Sequence, residues 1–307
     1  MRLFDLHCDT LTEAMNAGVE LKENKMQLSF DRGSKYAPWV QTMAVFIPDR
    51  FRGQVAWDYF VQSEAFLTAQ LKKNPGVKRC RTAADLQNVQ DTNGTGVVLA
   101  VEGGAVLMGD RNKVSALAEC GVRMMTLTWN GANEIGGGCH EPGGLTDFGR
   151  EVLPLMQQYH IVPDISHACT QLFWDVCEAY DGPLMATHSN AWPVCNHVRN
   201  LRDDQFREIV RRGGIVGLNL FPVFLSGQRD ASLEDLYRHI AHFRDLGGDK
   251  AIAMGTDFDG APMPSCLPEI SALERLWEYL LARNMDENFV RGLFYDHAAA
   301  FFARLGG

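Results

Sequence analysis

Three histidines and several acids stand where short apolar runs come to an end. The first place is "FDLHCDT", residues 4–10, in which His7 and Asp9 flank Cys8. The others are Glu102 in "VEGG", Trp129 and Asn130 in "LTWN", His167 in "DISHA", His188 in "ATHSN", and Asp257 with Asp259 in "GTDFDG". Singly, each has an ordinary explanation. A histidine after a strand is more often a hydrogen-bonded loop residue than a ligand, "DFDG" makes a turn, and Glu102 could cap a helix. Those explanations leave the recurrence of one residue class at the ends of several apolar runs as coincidence. Imidazole and carboxylate without thiolate are the donors of a catalytic zinc or a related divalent ion, and the chain has no CxxC pair. The six donors His7, Asp9, Glu102, His167, His188 and Asp257 exceed the four of one tetrahedral ion. Two ions are therefore expected, which in hydrolytic pairs lie roughly 3.5–4 Å apart and share a ligand. Glu102, alone at its strand end, is the natural bridge. His7 and Asp9, two residues apart and so on one side of a strand, serve one ion, and His167 and His188 the other. Asp257 is left to handle the proton of a water between the ions.

Such a cluster needs a scaffold that brings many strand ends together. Candidate strands are Leu3–His7, Thr42–Ile47, Gly96–Val101, Val122–Thr128, Ile161–Ser166, Leu184–Thr187, Gly214–Leu220 and Ala251–Gly255. Several are nearly unbroken apolar runs, as parallel strands covered on both faces require. Between them, apolar residues three and four apart predict helices over Trp57–Lys72, Val114–Cys120, Asp147–Tyr159, Thr170–Tyr180, Asp203–Arg212 and Leu233–Leu246. The stretch "LRDDQFREIVRRGG" carries acids in its first turn, arginines in its last and glycines beyond, the start and stop signals of a helix. Eight strands alternating with helices predict a (β/α)8 TIM barrel, α/β in class, over 1–307 as one catalytic domain. A doubly wound open sheet competes, but no GxGxxG follows the first run. The Gly-rich stretch "GANEIGGGCHEPGG", residues 131–144, and the Pro-rich stretch from Ala261 to Pro268 read as long loops on the site face.

Composition narrows the partners. A net charge of −9 argues against nucleic acid, whose phosphates call for a basic face. No apolar run reaches the roughly 18–20 residues of a membrane span, and no secretory leader is recognisable. The eight cysteines are scattered singly, which reads as a reduced set of thiols and a cytoplasmic location.

In order and separation, "DLHCDT", "VEGG", "LTWNGANEIGGG", "GLTDFG", "DISHA", "THSNAWPVCNHVRNL" and "GTDFDG" resemble the renal (membrane) dipeptidase family over essentially the whole chain. The resemblance implies a barrel of the metal-dependent amidohydrolase type, two zinc ions, and hydrolysis of dipeptides, including those with a C-terminal D-residue, by a zinc-bridged hydroxide. It implies His7 and Asp9 on the first zinc, Glu102 as bridge, His167 and His188 on the second, and Asp257 as acid/base. Arg199 falls where the family places an arginine near the substrate, and its planar fork suits a carboxylate; its plainer role is a solvent-exposed helix flank. Mammalian members carry a histidine where Trp129 stands, and an indole cannot carry a proton charge. Trp129 and Asn130 are thus expected to touch substrate, and His140 either replaces the missing histidine or is incidental. Another hydrolase on this scaffold, acting on a β-lactam, lactone or cyclic amide, and a silent barrel protein are the alternatives. A homodimer is compatible with the sequence. His160, His197, His239, His242 and His297 are expected to be structural, although His197 stands near enough to Arg199 to line the mouth. Cys8 is expected to pack as a small apolar group.

Overall fold

The computed structural model describes residues 1–305. Its strands are β1 (Leu3–Asp5), β2 (Trp39–Phe46), β3 (Val77–Arg79), β4 (Thr95–Glu102), β5 (Val122–Thr126), β6 (Val162–Asp164), β7 (Met185–Ala186), β8 (Ile215–Leu218) and β9 (Ile252–Met254). All pairings between them are parallel. The order β2-β1-β9-β8-β7-β6-β5-β4 closes on itself because β2 also pairs with β4. The result is a closed eight-stranded parallel barrel ringed by helices, the (β/α)8 architecture expected from the alternation of strand and helix. Each of the eight expected strands is present, within a few residues of its expected bounds. The ninth, β3, lies outside the ring. It covers the first half of one edge of β4 (Thr95–Val97), and β5 takes the second half from Leu99, with a shift in register between Leu99 and Ala100.

Both strand faces are buried, which explains the unbroken apolar runs. One set of alternating residues, including Phe4, Leu6, Val40, Ala44, Val98, Ala100, Met124, Val162, Met185, Ile215 and Ala253, forms a single cluster. The other set, including Leu3, Met43, Val45, Val97, Leu99, Val101, Val122 and Met125, joins the surrounding helices in a second cluster. The C-terminal helix His297–Ala303 and the turn of π-helix before it (Gly292–Asp296) close the first cluster from below. There the Phe4 ring lies 6.2 Å from that of Tyr295 and 6.0 Å from that of Phe302. Every strand end opposite this plug is left to carry function.

The ladder geometry of β1 outlasts its formal end. Leu6 N–H donates to Met254 O, Cys8 N–H to Thr42 O, and Asp9 N–H to Phe258 O. This extended backbone turns His7 and Asp9 to the same side and leaves Cys8 fully buried among apolar neighbours. Two glycines govern the far wall. A Cβ on Gly217 or on Gly255 would run into the Thr187 carbonyl, so these positions let three strands close around Thr187. The Gly-rich stretch 131–144 differs from a loose loop. Gly138 bridges to Ala168, and a Cβ there would strike the carbonyls of Trp129, Asn130 and Gly131. Glycine serves tight packing there, and the loop is folded onto the site.

Candidate active site

A cavity of about 530 Å³ opens at the C-terminal end of the strands. Asp9, Glu102, His167 and Asp257 form its floor, and Phe46, Trp129, Asn130, His140, His197, Arg199, Phe221 and Phe224 contribute to its walls. His7 and His188 lie under that floor, each about 1% exposed. All the residues expected to do chemistry therefore reach one centre.

Glu102, the last residue of β4, organises the donors. Its Oε2 lies 3.5 Å from His7 Nε2, while Oε1 lies 2.9 Å from His167 Nε2 and 3.4 Å from His188 Nε2. His7 Nε2 is also 3.6 Å from Asp9 Oδ2 and 3.9 Å from Asp257 Oδ1. The ligand-capable atoms of His7, Glu102 and His188, and likewise of His7, Asp9 and Asp257, fall within 4.8 Å of one another. His167, Asp257 and Asp259 hold positive φ values of 66°, 63° and 66°, a backbone region non-glycine residues seldom adopt and one that recurs at functional sites.

The electrostatics of this cluster ask for a cation. His167 Nδ1 faces Asn130 Oδ1 at 2.9 Å. An amide oxygen only accepts, so the proton sits on Nδ1 and Nε2 is bare. That bare nitrogen lies 3.0 Å from His188 Nε2. Burial, then the Arg199 charge, holds His167 down at about 4, and burial and protonated His7 hold His188 well below the ordinary imidazole range. Both rings are thus neutral near pH 7. His7 behaves oppositely: burial opposes its charged form, but Glu102 and Asp9 outweigh it and raise its pKa well above the usual value. Burial pushes Asp257 up to about 6, and burial with the Glu102 charge raises Asp9 well above the carboxylate range. Glu102 is held well below it by His7, His167 and His188 in spite of burial. His7 Nε2 and Asp9 Oδ1 are buried without hydrogen-bond partners. Lone pairs crowded together, two orphaned atoms and neutral imidazoles fit divalent cations, which displace protons from their ligands.

The other expected contacts divide. Arg199 is no exposed flank: it is 5% exposed, its Nε has no partner, and one Nη donates to His188 O at 3.3 Å. Trp129 packs edge-on against Phe46, with centroids 4.9 Å apart, and forms wall rather than floor. Asn130 lines the cavity, yet its side-chain oxygen is engaged by His167 and the Cys139 thiol. His140 is exposed at the rim. His239 is a buried core histidine, taking the Ala191 N–H on Nδ1 and facing Leu225 O with Nε2. His242 meets Asp203, His297 meets Ile252 O, and His160 meets Leu305 O. His197 does line the cavity and accepts the Arg199 backbone N–H. Sequence reasoning missed Asn219, whose Nδ2 donates to Asp257 Oδ2 at 3.0 Å; its position just after β8, in "GLNL", is the signal that could have found it. It also missed Glu13, a half-buried carboxylate on the cavity wall.

A parallel barrel with imidazoles and carboxylates converging at the C-terminal strand ends defines a metal-dependent hydrolase of the amidohydrolase architecture. Comparison with known proteins is more specific. The profile of the membrane dipeptidase family (peptidase family M19) matches residues 1–299, and the chain belongs to that family. An uncharacterized Klebsiella pneumoniae protein encoded in the pqqA 5′ region is 33% identical over 243 residues, covering 75% of this chain and 90% of its own length. Mouse dipeptidase 3 is 25% identical over 296 residues, 91% of this chain and 58% of the mouse protein. Among solved structures, a metallopeptidase described as dipeptidase AC of family M19 superposes with a TM-score of 0.95 at 27% identity, covering 100% of this chain and 99% of its own. A Rhodobacter sphaeroides metallopeptidase liganded with a phosphinate mimic of L-Ala-D-Ala superposes with a TM-score of 0.94 at 25% identity, covering 99% of each chain. No helix among the described residues is long and apolar enough to cross a membrane.

Proposed function

We propose that this chain is a dipeptidase working with two zinc ions, His7 and Asp9 holding one, His167 and His188 the other, and Glu102 both. The observation that carries this reading is the division of Glu102: one oxygen faces His7 and the other faces the His167–His188 pair. A carboxylate serving a single ion or a single histidine has no need of that arrangement. When bound, such ions would supply Lewis acidity toward the scissile carbonyl and would lower the pKa of the attacking water.

The chain's own residues do the rest. Arg199 binds the free carboxylate of the substrate, its fork of donors meeting two oxygens, which restricts the enzyme to short peptides. Asp257, pushed up to about 6 by burial, takes a proton from water and gives it to the leaving amine; Asn219 holds it in place. Phe46, Trp129, Phe221 and Phe224 keep water from the reacting atoms, and Trp129 and Asn130 border the substrate. His140, at the rim, contacts only larger substrates. Likeness to the Rhodobacter protein with its L-Ala-D-Ala mimic extends the proposed substrates to dipeptides with a C-terminal D-residue. The eight free cysteines suit a reducing, cytoplasmic setting. A dipeptide panel varied in side chain and C-terminal chirality, run with and without chelator, tests the assignment. Chelator-sensitive hydrolysis is expected; inert dipeptides alongside cleaved lactams or lactones would move the enzyme to another substrate class.

A further inference from the structure

Beneath the donor cluster lies a polar chain that the catalytic reading does not use. Asp164, the last residue of β6, is 1% exposed and surrounded by donors. Its Oδ1 accepts the N–H groups of Ser166 at 2.9 Å and Thr187 at 3.0 Å. Its Oδ2 accepts the hydroxyls of Thr126 and Thr187, each at 2.6 Å. A carboxylate with four donors around it has no hydrogen of its own to offer, so the single hydrogen of Thr187 Oγ1 is committed to Asp164. Thr187 Oγ1 can then only accept from its other neighbours. Those neighbours are His188 Nδ1 at 2.8 Å, His7 Nδ1 at 3.4 Å and, farthest off at 3.5 Å, Ser166 Oγ. The two imidazoles lie against each other, 3.9 Å between centroids with their planes tilted by 34°. Both turn Nδ1 down to one hydroxyl and Nε2 up to Glu102.

We propose that Asp164, acting through Thr187, sets the tautomer of His188 and the ring orientation of His7, so that both Nε2 atoms are presented to metal. Asp164 and Thr187 are positioning residues, for neither reaches the cavity. Groups of this kind, which fix a ligand imidazole from behind, typically change metal affinity by about 10- to 100-fold when altered. The inference rests on the reading of His7 and His188 as metal ligands. It adds that one hydroxyl orients a histidine of each proposed ion, so both ion positions depend on one carboxylate. The local packing fits the role: Gly217 and Gly255 have no Cβ where one would collide with the Thr187 carbonyl, and that absence lets both strands close onto Thr187.

The test uses the full chain stripped of metal, with Asp164→Asn, Thr187→Val and Thr187→Ser beside the wild type. An asparagine amide pointed at Thr187 donates, which frees the Thr187 hydrogen to turn toward His188 Nδ1 and drives the ring proton to Nε2. Two readouts are made: zinc affinity by competition with a chromophoric chelator, and the ¹⁵N shifts of the His188 ring in metal-free protein. Asp164→Asn is expected to weaken zinc binding by about 10- to 100-fold and to move His188 to the Nε2–H tautomer. Thr187→Val should weaken it comparably, and Thr187→Ser, which keeps the hydroxyl, should bind as the wild type does. If Asp164→Asn does not fold, the contrast between Thr187→Val and Thr187→Ser decides. Wild-type affinity and an unchanged His188 tautomer in Asp164→Asn, or equal affinity in Thr187→Val and Thr187→Ser, would overturn the proposal. Failure of the wild type to bind zinc would overturn the proposed function instead, and the tautomer measurement would still judge the role of Asp164.

Discussion

Replacing Arg199 by methionine removes a cation that the fold buries without pairing. Of its five N–H donors, one meets the His188 carbonyl, at 3.3 Å, and Nε meets nothing. Burial depresses its pKa below the ordinary guanidinium range, the mark of a charge held largely away from water before any ligand arrives. A substrate carboxylate that completes a bidentate pair therefore finds a partner whose desolvation is largely complete. Hydrogen bonds to charged groups contribute about 1.5–3 kcal/mol each. Two of them amount to about 3–6 kcal/mol, or roughly 10²- to 10⁴-fold in kcat/KM. The assay compares a dipeptide with its C-terminal amide in wild type and in Arg199→Met. The wild type should prefer the free carboxylate by at least about 100-fold, and the variant by less than about 10-fold, with the loss mainly in KM. The same substitution should leave stability unchanged or raise it, since an unpaired buried charge has gone. A preference for the free acid that survives in Arg199→Met would refute the reasoning, because some other group would then hold the carboxylate.

His239→Gln keeps an acceptor for the Ala191 N–H and a donor for Leu225 O while removing a titrating ring. Burial holds His239 down at about 4, below its ordinary 6.5, so the unfolded chain binds more protons between those values. The stability this ring contributes is complete above about 6.5 and is lost as pH falls toward 4. Between about pH 7.5 and about pH 5 the loss is about 2 kcal/mol. Urea unfolding should show that much less acid sensitivity in the variant, and equal sensitivity would contradict the burial argument. Asp257→Asn should lower kcat by about 10²- to 10⁴-fold with zinc content unchanged by metal analysis; an active variant would remove Asp257 from proton transfer. Gly138→Ala forces a methyl against the carbonyls of Trp129, Asn130 and Gly131, an overpacking that costs about 1–3 kcal/mol. A lower Tm and weaker zinc binding are expected, since Asn130 orients His167.

The barrel and the donor set were legible because each leaves a one-dimensional trace. Strands buried on both faces read as apolar runs, and the barrel mouth turns their ends into a list of candidate ligands. β3 left no such trace: Val77–Arg79 is three residues long, half-exposed, and outside the ring. The support under the ligands was less visible for a different reason. Asp164 lies three residues before His167 and reads as part of a strand; only the closed ring brings it to Thr187 and, through Thr187, to His7. Asn219 was open to discovery at the end of an apolar run, but asparagine is not a metal donor of first resort and drew no notice. In residues 131–144 composition misled in degree. Glycine signalled a long loop, whereas the carbonyls crowded around Gly138 demand glycine because the loop is tight.

The central claim is that Glu102 and its neighbours form a metal centre that hydrolyses dipeptides. The most direct test is the rate of dipeptide hydrolysis by metal-free protein as zinc is added back. Negligible turnover without metal, rising to a plateau at about two equivalents as the proposed pair of ions requires, is the predicted result. Undiminished turnover in the metal-free protein, or a zinc-saturated protein inert toward every dipeptide, would contradict the account.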